Sequence, residues 1–454
     1  MKESKDKIHV SSKTKLQPSV WHDVVPGRKE PAALNQRDER LLVDLDTAVL
    51  SKYDNKEEPL EITAHMREAI DEYVERVSTI LPDDLLEPLT LAEAAYGVEN
   101  LEGLDLNTSA GYPYVLHGVK KRHVLDPLTR STDKLRECMD KYGVDLPFVS
   151  YLKDELRPLE KIKMGKTRII ECSSMNDTIR MKLMFGRLFQ TFHANPGVVT
   201  GSAVGCNPDF HWTTFRATMH DEVFAFDYSN FDASLHPVWF ECLKLVLKKF
   251  GYTDLRPIDH ICRSRHIYKN LEYVVEGGMP SGCSGTSIFN SIINNIIIRT
   301  LLLDTYRNID LEQLKMVAYG DDVVATYPYP IDAASLADSG KRYGLKMTPP
   351  DKGSDFSTVT WDTVTFLKRR FKPSKSYPFL IHPVFETSEI LESLRWTRNP
   401  AATQEHVRSL AELAWHSGRT EYTKFVKIVK STNVGKACIL PSYDSLKRMW
   451  LDLF

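Results

Sequence analysis

Met316–Tyr327 reads MVAYGDDVVATY, two β-forming runs on either side of Gly-Asp-Asp. The pattern predicts a hairpin whose tip holds two carboxylates on a rigid turn. Asp and Gly are favoured turn residues, so alone this stretch is better read as plain turn chemistry. A second acidic site changes that reading. VFAFD (Val223–Asp227) predicts a strand ending in Asp227, and Asp232 follows at a helix start, where an Asp can also serve as an N-cap. Two acidic strand ends set side by side in a sheet repel each other unless a divalent cation fills the gap. Oxygen-only donors select a hard ion such as Mg²⁺. Two such ions roughly 4 Å apart would activate an attacking hydroxyl and stabilise a leaving phosphate oxygen.

Working outward, LEYVVEGGMPSG (Leu271–Gly282) predicts a strand entering the glycine-rich loop MPSGCSGTS (Met279–Ser287). A long apolar helix follows from about Gly285, with the polar Asn290 near its start. Such a loop lets a ligand approach the backbone, although an ordinary strand–helix connection reads as well. A buried Asn290 needs a partner, either a sugar hydroxyl or a neighbouring side chain.

KDELRPLEKIKMGKTR carries Lys153, Arg157, Lys161, Lys163, Lys166 and Arg168, and β spacing would put Lys166 and Arg168 on one strand face. A solvated charged face is the usual reading; a clamp on a triphosphate is the functional one. LKRRFKPSK adds Lys368, Arg369, Arg370, Lys372 and Lys375 beside Phe366, Phe371 and Tyr377, which suits a nucleic-acid backbone. GVKKRHV (Gly118–Val124) reads as an exposed basic loop.

The 454 residues contain 59 Lys+Arg and 61 Asp+Glu, with 42% hydrophobic and 26% charged residues. That composition excludes a disordered chain, and the net charge of −2 leaves any nucleic-acid role to local charge. Seven dispersed cysteines without a C-x-x-C pair argue against a disulfide framework or a zinc site and for reduced thiols. The charged start MKESKDKIHV is no secretory signal. Ile288–Leu303 is broken by Asn290, Ser291, Asn294, Asn295 and Arg299, which makes it a buried helix and leaves no membrane span.

The first 60 residues read as an extended arm crossing another surface. Helices are expected between Ile62 and Leu104, with breaks at Pro82 and Pro88, and a turn at TSAGYPY (Thr108–Tyr114). Strand pairing is expected at WDTVTFLKRRF (Trp361–Phe371), and helices dominate after about Ser374. The mixed order predicts an α+β chain with a helical C-terminal unit.

TSAGYP, KDELR, KTRIIE, FDYSNFDASL, GGMPSGCSGTSIFNS, YGDD, PPDKGSDF and FLKRRF follow one another in this chain. Their wording and order resemble the RNA-dependent RNA polymerases of positive-strand RNA viruses, and within them the picornavirus enzymes of the enterovirus type. The resemblance runs over nearly the whole chain, from SKTKLQPS to WLDLF.

It implies a closed right hand. Fingers would take residues 1–186 and 263–278, and a palm of antiparallel sheet plus helices would take 187–262 and 279–373. A helical thumb would take 374–454. By this resemblance Asp227 and Asp321 bind two catalytic Mg²⁺ ions, with Mn²⁺ as a substitute and Asp322 in support. Asp232 and Asn290 sense the ribose 2′-hydroxyl, assisted by Ser281 and Thr286. Arg157, Lys161, Lys166 and Arg168 lie over the triphosphate, and Lys352 protonates the pyrophosphate. Lys368, Arg369 and Arg370 grip the primer; Thr108, Ser109, Gly111 and Tyr112 stand at the template entrance.

The implied partners are RNA template and primer, ribonucleoside triphosphates, a small viral protein primer uridylylated on a tyrosine, other replication proteins and further copies of the chain. The implied place is the host cytoplasm, peripheral to replication membranes. Family members begin at a glycine freed by the viral cysteine protease. Here the chain starts at Met1 and SKTKLQPS comes early, so upstream residues are expected to be missing. The alternative reading is therefore an RNA-binding form with impaired catalysis. A reverse transcriptase is disfavoured because the polar Asp232/Asn290 pair invites a hydroxyl. A purely structural RNA-binding subunit would need no buried acidic cluster.

Overall fold

The computed structural model describes residues 1–454 except 55–57, 283–284, 351–354 and 357–358. Its centre is the helix Thr286–Thr305, which is apolar almost all round and buried from Ile288 to Leu302. It is long and apolar enough to cross a membrane, yet it lies inside the protein. Helices Ala64–Ser78 and Pro237–Phe250 pack on it, and all three feed one large apolar core. Asn294, Asn295 and Arg299 of this helix are fully or almost fully buried, and each has a partner, as buried polar groups require. Asn295 Nδ2 donates to Gly201 O at 2.9 Å, and Arg299 Nε donates to Glu72 Oε2 at 2.8 Å.

On one side of this core the strands Lys315–Tyr319, Asp322–Thr326 and Val223–Phe224 form an antiparallel sheet. Tyr319 pairs with Asp322, leaving a two-residue turn of Gly320 and Asp321. A two-residue hairpin turn of this kind asks for positive φ at its first position, and Gly320 has φ 62°. The expected hairpin is present. The expected strand VFAFD is split: Val223–Phe224 joins this sheet, whereas Asp227–Tyr228 pairs with Met347–Thr348. Thr365–Phe366, Arg369–Pro373 and Ile381–Phe385 make a further antiparallel sheet, as the Trp361–Phe371 pattern predicts.

A five-stranded sheet has the order Lys2–Glu3, Leu271–Glu276, Arg263–Tyr268, Phe148–Leu152, Ile169–Cys172. Between its last two strands the chain makes the short helix Leu159–Lys163. The strand that should have carried Lys166 and Arg168 begins only at Ile169. Those two side chains stand on irregular chain before it, not on a strand face.

The N-terminal residues behave as the arm expected of them, apart from the helix Leu45–Leu50. Gln17–Pro18 pairs with Trp396–Thr397, and Lys29–Pro31 pairs with Leu156–Pro158. Trp21 is 1% exposed in the C-terminal helical cluster, where its indole N–H donates to Val429 O at 3.1 Å. The arm thus ties the Phe148–Cys172 region to the C-terminal helices, and Arg398 adds an ion pair to Asp154 at 3.2 Å. Those helices are Thr387–Leu394, Thr403–Trp415, Arg419–Val429, Asn433–Ala437 and Tyr443–Leu451.

Within this unit the His382 ring stacks on Trp450 at 4.1 Å and meets His416 Nδ1 at 2.9 Å. Burial, with His416 and Lys372 beside it, pushes the His382 imidazole down to about 3. An unfolded histidine takes its proton near pH 6.5. Between those values the unfolded chain holds the extra proton, so this group's contribution to stability is complete above pH 6.5 and is lost as pH falls. His382→Phe, which keeps the stack, is expected to flatten the loss of stability measured by urea unfolding from pH 6.5 to 4.5. An unchanged slope would assign that loss to other groups.

Candidate active site

Asp321 stands at the tip of the Gly320–Asp321 turn, Asp322 opens the next strand, and Asp227 opens the strand beside it. The three carboxylates, with Tyr228, Ser229, Thr348, Thr365 and Lys368, line a cavity of about 480 Å³. Asp322 Oδ2 accepts the Leu367 N–H at 2.7 Å, which docks the 365–373 hairpin onto the acidic turn. Burial pushes the Asp322 carboxyl up to about 7, and the charges of Asp321 and Asp227 add to the rise. The Asp321 carboxyl is also raised by burial, with Arg168 acting against it. An all-oxygen group that repels itself fits a hard divalent cation.

The turn is held from beneath by the core helix. Gly320 N–H donates to Ser291 Oγ at 3.0 Å, and Asn294 Nδ2 donates to Gly320 O at 3.1 Å. Tyr228 O–H donates to Asn294 Oδ1 at 2.8 Å, joining the Asp227 strand to the same helix. One turn earlier, Asn290 Nδ2 donates to Asp232 Oδ1 at 2.8 Å. Asn290 Oδ1 is buried and has no hydrogen-bond partner among the described residues. Burial and then the charge of Asp321 push the Asp232 carboxyl up to about 6, against the Asn290 bond, Lys52 and Arg168.

Among the basic residues, Arg168 gives both Nε and Nη2 to the Glu155 carboxylate at 2.6 Å. Arg157 lies 3.9 Å from the same carboxylate, and its Nη2 donates to Lys166 O at 3.1 Å. Glu155 therefore gathers Arg157 and Arg168, and Arg168 is close enough to feel both Asp321 and Asp232. Lys161 sits in the Leu159–Lys163 helix, and the Lys166 side chain is exposed. Lys52, which the sequence reading passes over, acts on Asp232 and Glu171. Nothing in its surroundings along the chain marks it.

Ser281 Oγ accepts the Glu171 N–H at 3.2 Å, and Thr286 Oγ1 donates to Pro280 O at 3.3 Å. A Cβ at Gly282 would stand 2.0 Å from Glu171 O, so the loop needs glycine to approach that strand. Lys352 lies outside the described residues. Lys368 is exposed at the cavity rim and Arg370 is exposed on the strand after it. Arg369 is half-buried, donates to Leu367 O at 2.8 Å and lies over the Phe385 ring.

Thr108 is exposed, Ser109 Oγ contacts the Tyr151 hydroxyl at 3.3 Å, and Tyr112 O–H donates to Asp6 at 3.1 Å. Gly111 is buried against Ser173 and Ser174. The basic loop at 118–124 differs from its expectation. Lys121 is buried, and its ammonium donates to Thr108 Oγ1 at 2.5 Å. A second acidic group, Asp145, Asp177 and His260, has ligand atoms within 4.8 Å of one another. Arg180 and two backbone N–H groups already serve its carboxylates.

Residues 17–433 match the sequence profile described as viral RNA-dependent RNA polymerase. The chain belongs to that family. Its fold is similar to a solved structure, the Sicinivirus 3Dpol RNA dependent RNA polymerase. The TM-score is 0.90 and the identity 33%, covering 100% of this chain and 98% of that one. A right-hand viral polymerase fold and RNA-directed RNA polymerase activity follow, with RNA and nucleotides as substrates. The resemblance to picornavirus polymerases is met at that level. Polymerases of this family generally use divalent metal ions.

Proposed function

We propose that this polymerase copies an RNA template by two-metal nucleotidyl transfer at the cavity lined by Asp227, Asp321 and Asp322. The observation that carries the reading is the meeting of these carboxylates in one cavity, with Asn290, on the helix that braces the turn, bonded to Asp232. Asp227 and Asp321 would hold two Mg²⁺ ions, or Mn²⁺ in their place, with Asp322 adding charge. Bound there, the ions supply activation of the primer 3′-hydroxyl and neutralisation of the leaving phosphate. The protein's own part is positioning and charge complementarity. Arg157 and Arg168, oriented by Glu155, face the triphosphate, with Lys161 and Lys166 beside them. Lys352 donates the proton to pyrophosphate. Lys368 and Arg370 hold the primer strand, while Arg369 anchors their hairpin. Thr108, Ser109 and Tyr112 contact the template, and Gly111 lets their loop pack.

In this reading Asn290 Oδ1, buried without a donor among the described residues, takes the ribose 2′-hydroxyl. Losing such a bond costs about 1–3 kcal/mol. Asn290→Ala is therefore expected to reduce the preference for ribo- over deoxyribonucleotides about five- to a hundredfold, with RNA affinity held. Competing incorporation of the two nucleotide classes measures it, and unchanged discrimination removes Asn290 from sugar recognition.

The fingers, palm and thumb would follow the boundaries given above. Picornavirus kinship also supports a tyrosine-bearing protein primer, cooperation with other replication proteins and further copies of the chain, and action at membranes in the host cytoplasm. The test of the central reading is extension of an RNA primer on an RNA template with Mg²⁺. Elongation dependent on template, metal and all four ribonucleotides is expected, and RNA binding with no elongation would overturn it.

A further inference from the structure

We propose that a cavity beside the C-terminal helices binds a ribonucleoside polyphosphate at a second site, separate from the carboxylate cavity. Its volume is about 430 Å³, within the range of small-molecule sites. The loop between strands Arg369–Pro373 and Ile381–Phe385 forms one wall, and the ends of the helices form the other.

Four cations line it, Lys372, Lys375, Arg419 and Lys447, and among the described residues no acidic one does. In a chain of net charge −2 that is a local excess. Arg419 shares its charge with Asp444 at 2.8 Å. Among the described residues none of the three lysines has a carboxylate within ion-pair distance. The helix Arg419–Val429 starts here behind Gly418, which has no side chain to cap it. Its first-turn N–H groups thus lack a side-chain acceptor where Gly418, Arg419 and Thr420 line the cavity. Glu421 of that turn is engaged instead with Lys424 at 3.2 Å. Unpaired ammonium groups around an uncapped helix start are the chemistry that receives phosphate.

The remaining lining is aromatic and uncharged. His382 and Trp450 form a stacked floor with Trp415 beside them, and His382 stays neutral because burial depresses its basicity. Tyr377, 44% exposed, offers a face for a base, and Tyr443 carries the Arg419 guanidinium over its ring at 4.4 Å. An RNA strand needs an open groove, whereas a concave cavity with rings within and cations at the rim fits one base and a compact phosphate chain.

The test is titration of the full chain with GTP in EDTA, read by tryptophan fluorescence, since Trp415 and Trp450 line the cavity. Saturable binding is expected that Asp321→Asn leaves unchanged and that K375E/K447E weakens at least tenfold. The milder K375Q/K447Q should fall between, which separates charge loss from misfolding. Tripolyphosphate should compete, and more weakly than GTP. No saturable binding, indifference to both lysine pairs, or a cavity that binds a short RNA but not GTP would overturn the proposal. Equal affinity for tripolyphosphate and GTP would overturn its nucleoside part.

Discussion

Asp321→Asn is expected to slow primer extension by about a hundred- to a thousandfold while leaving RNA affinity within about twofold, the scale of losing one charge stabiliser of a transition state. The side chain stands at the tip of a turn whose geometry rests on Gly320 and on Ser291 and Asn294 beneath it. Asn keeps the shape and removes one negative charge from the cavity. Asp322 then loses a repulsive neighbour, so its raised carboxyl should shift back towards ordinary values. The measurement is single-turnover incorporation across a range of Mg²⁺ concentrations, beside RNA binding. A variant that extends at more than a tenth of the parent rate at saturating Mg²⁺ would rule Asp321 out as a metal ligand.

The second large effect concerns stability. Glu72 accepts from Arg76 at 2.5 Å and from Arg299 at 2.8 Å, and Arg299 is only 1% exposed. Glu72→Ala leaves the Arg299 guanidinium buried beside another arginine, with Asn295 as its remaining side-chain oxygen acceptor. Breaking a buried pair on one side costs about 3–5 kcal/mol, whereas replacing both partners with apolar residues can be nearly neutral. The urea midpoint of Glu72→Ala should fall accordingly, and Glu72→Met with Arg299→Met should recover most of it. A single-variant loss below about 1 kcal/mol would show that water reaches Arg299 and the charge is not truly buried.

Features carried by one continuous stretch were legible in the sequence. The hairpin at Met316–Tyr327 and the helix from Thr286 each declare themselves by pattern, and two of the polar residues that mark the helix as buried, Ser291 and Asn294, grip the turn. What could not be read is pairing across distance. VFAFD looks like one strand, but its two ends answer to different partners, Ala325–Thr326 and Met347–Thr348. Arg168 looks like a strand residue, yet its orientation is set by Glu155 across a turn and a short helix that begins after Pro158. Lys121 reads as solvated because charge along the chain hides that Asp105 and Thr108 fold over it. Lys52 comes near Asp232 only through tertiary packing. The motif order conveyed which residues belong together; the distances needed the fold.

The helix Thr286–Thr305 meets Asp232, Gly320, Gly201 and Glu72 through side chains at 290, 291, 294, 295 and 299. Each added residue in a helix rotates everything beyond it by about 100° and advances it about 1.5 Å. An insertion or deletion anywhere between Asn290 and Arg299 would throw the later contacts out of phase together, as a slipped tooth does to a camshaft. Surface loops of this polymerase can lengthen at little cost. This helix is a fixed gauge, and the distance between the Asp232–Asn290 pair and the acidic turn is as unalterable as its count of residues.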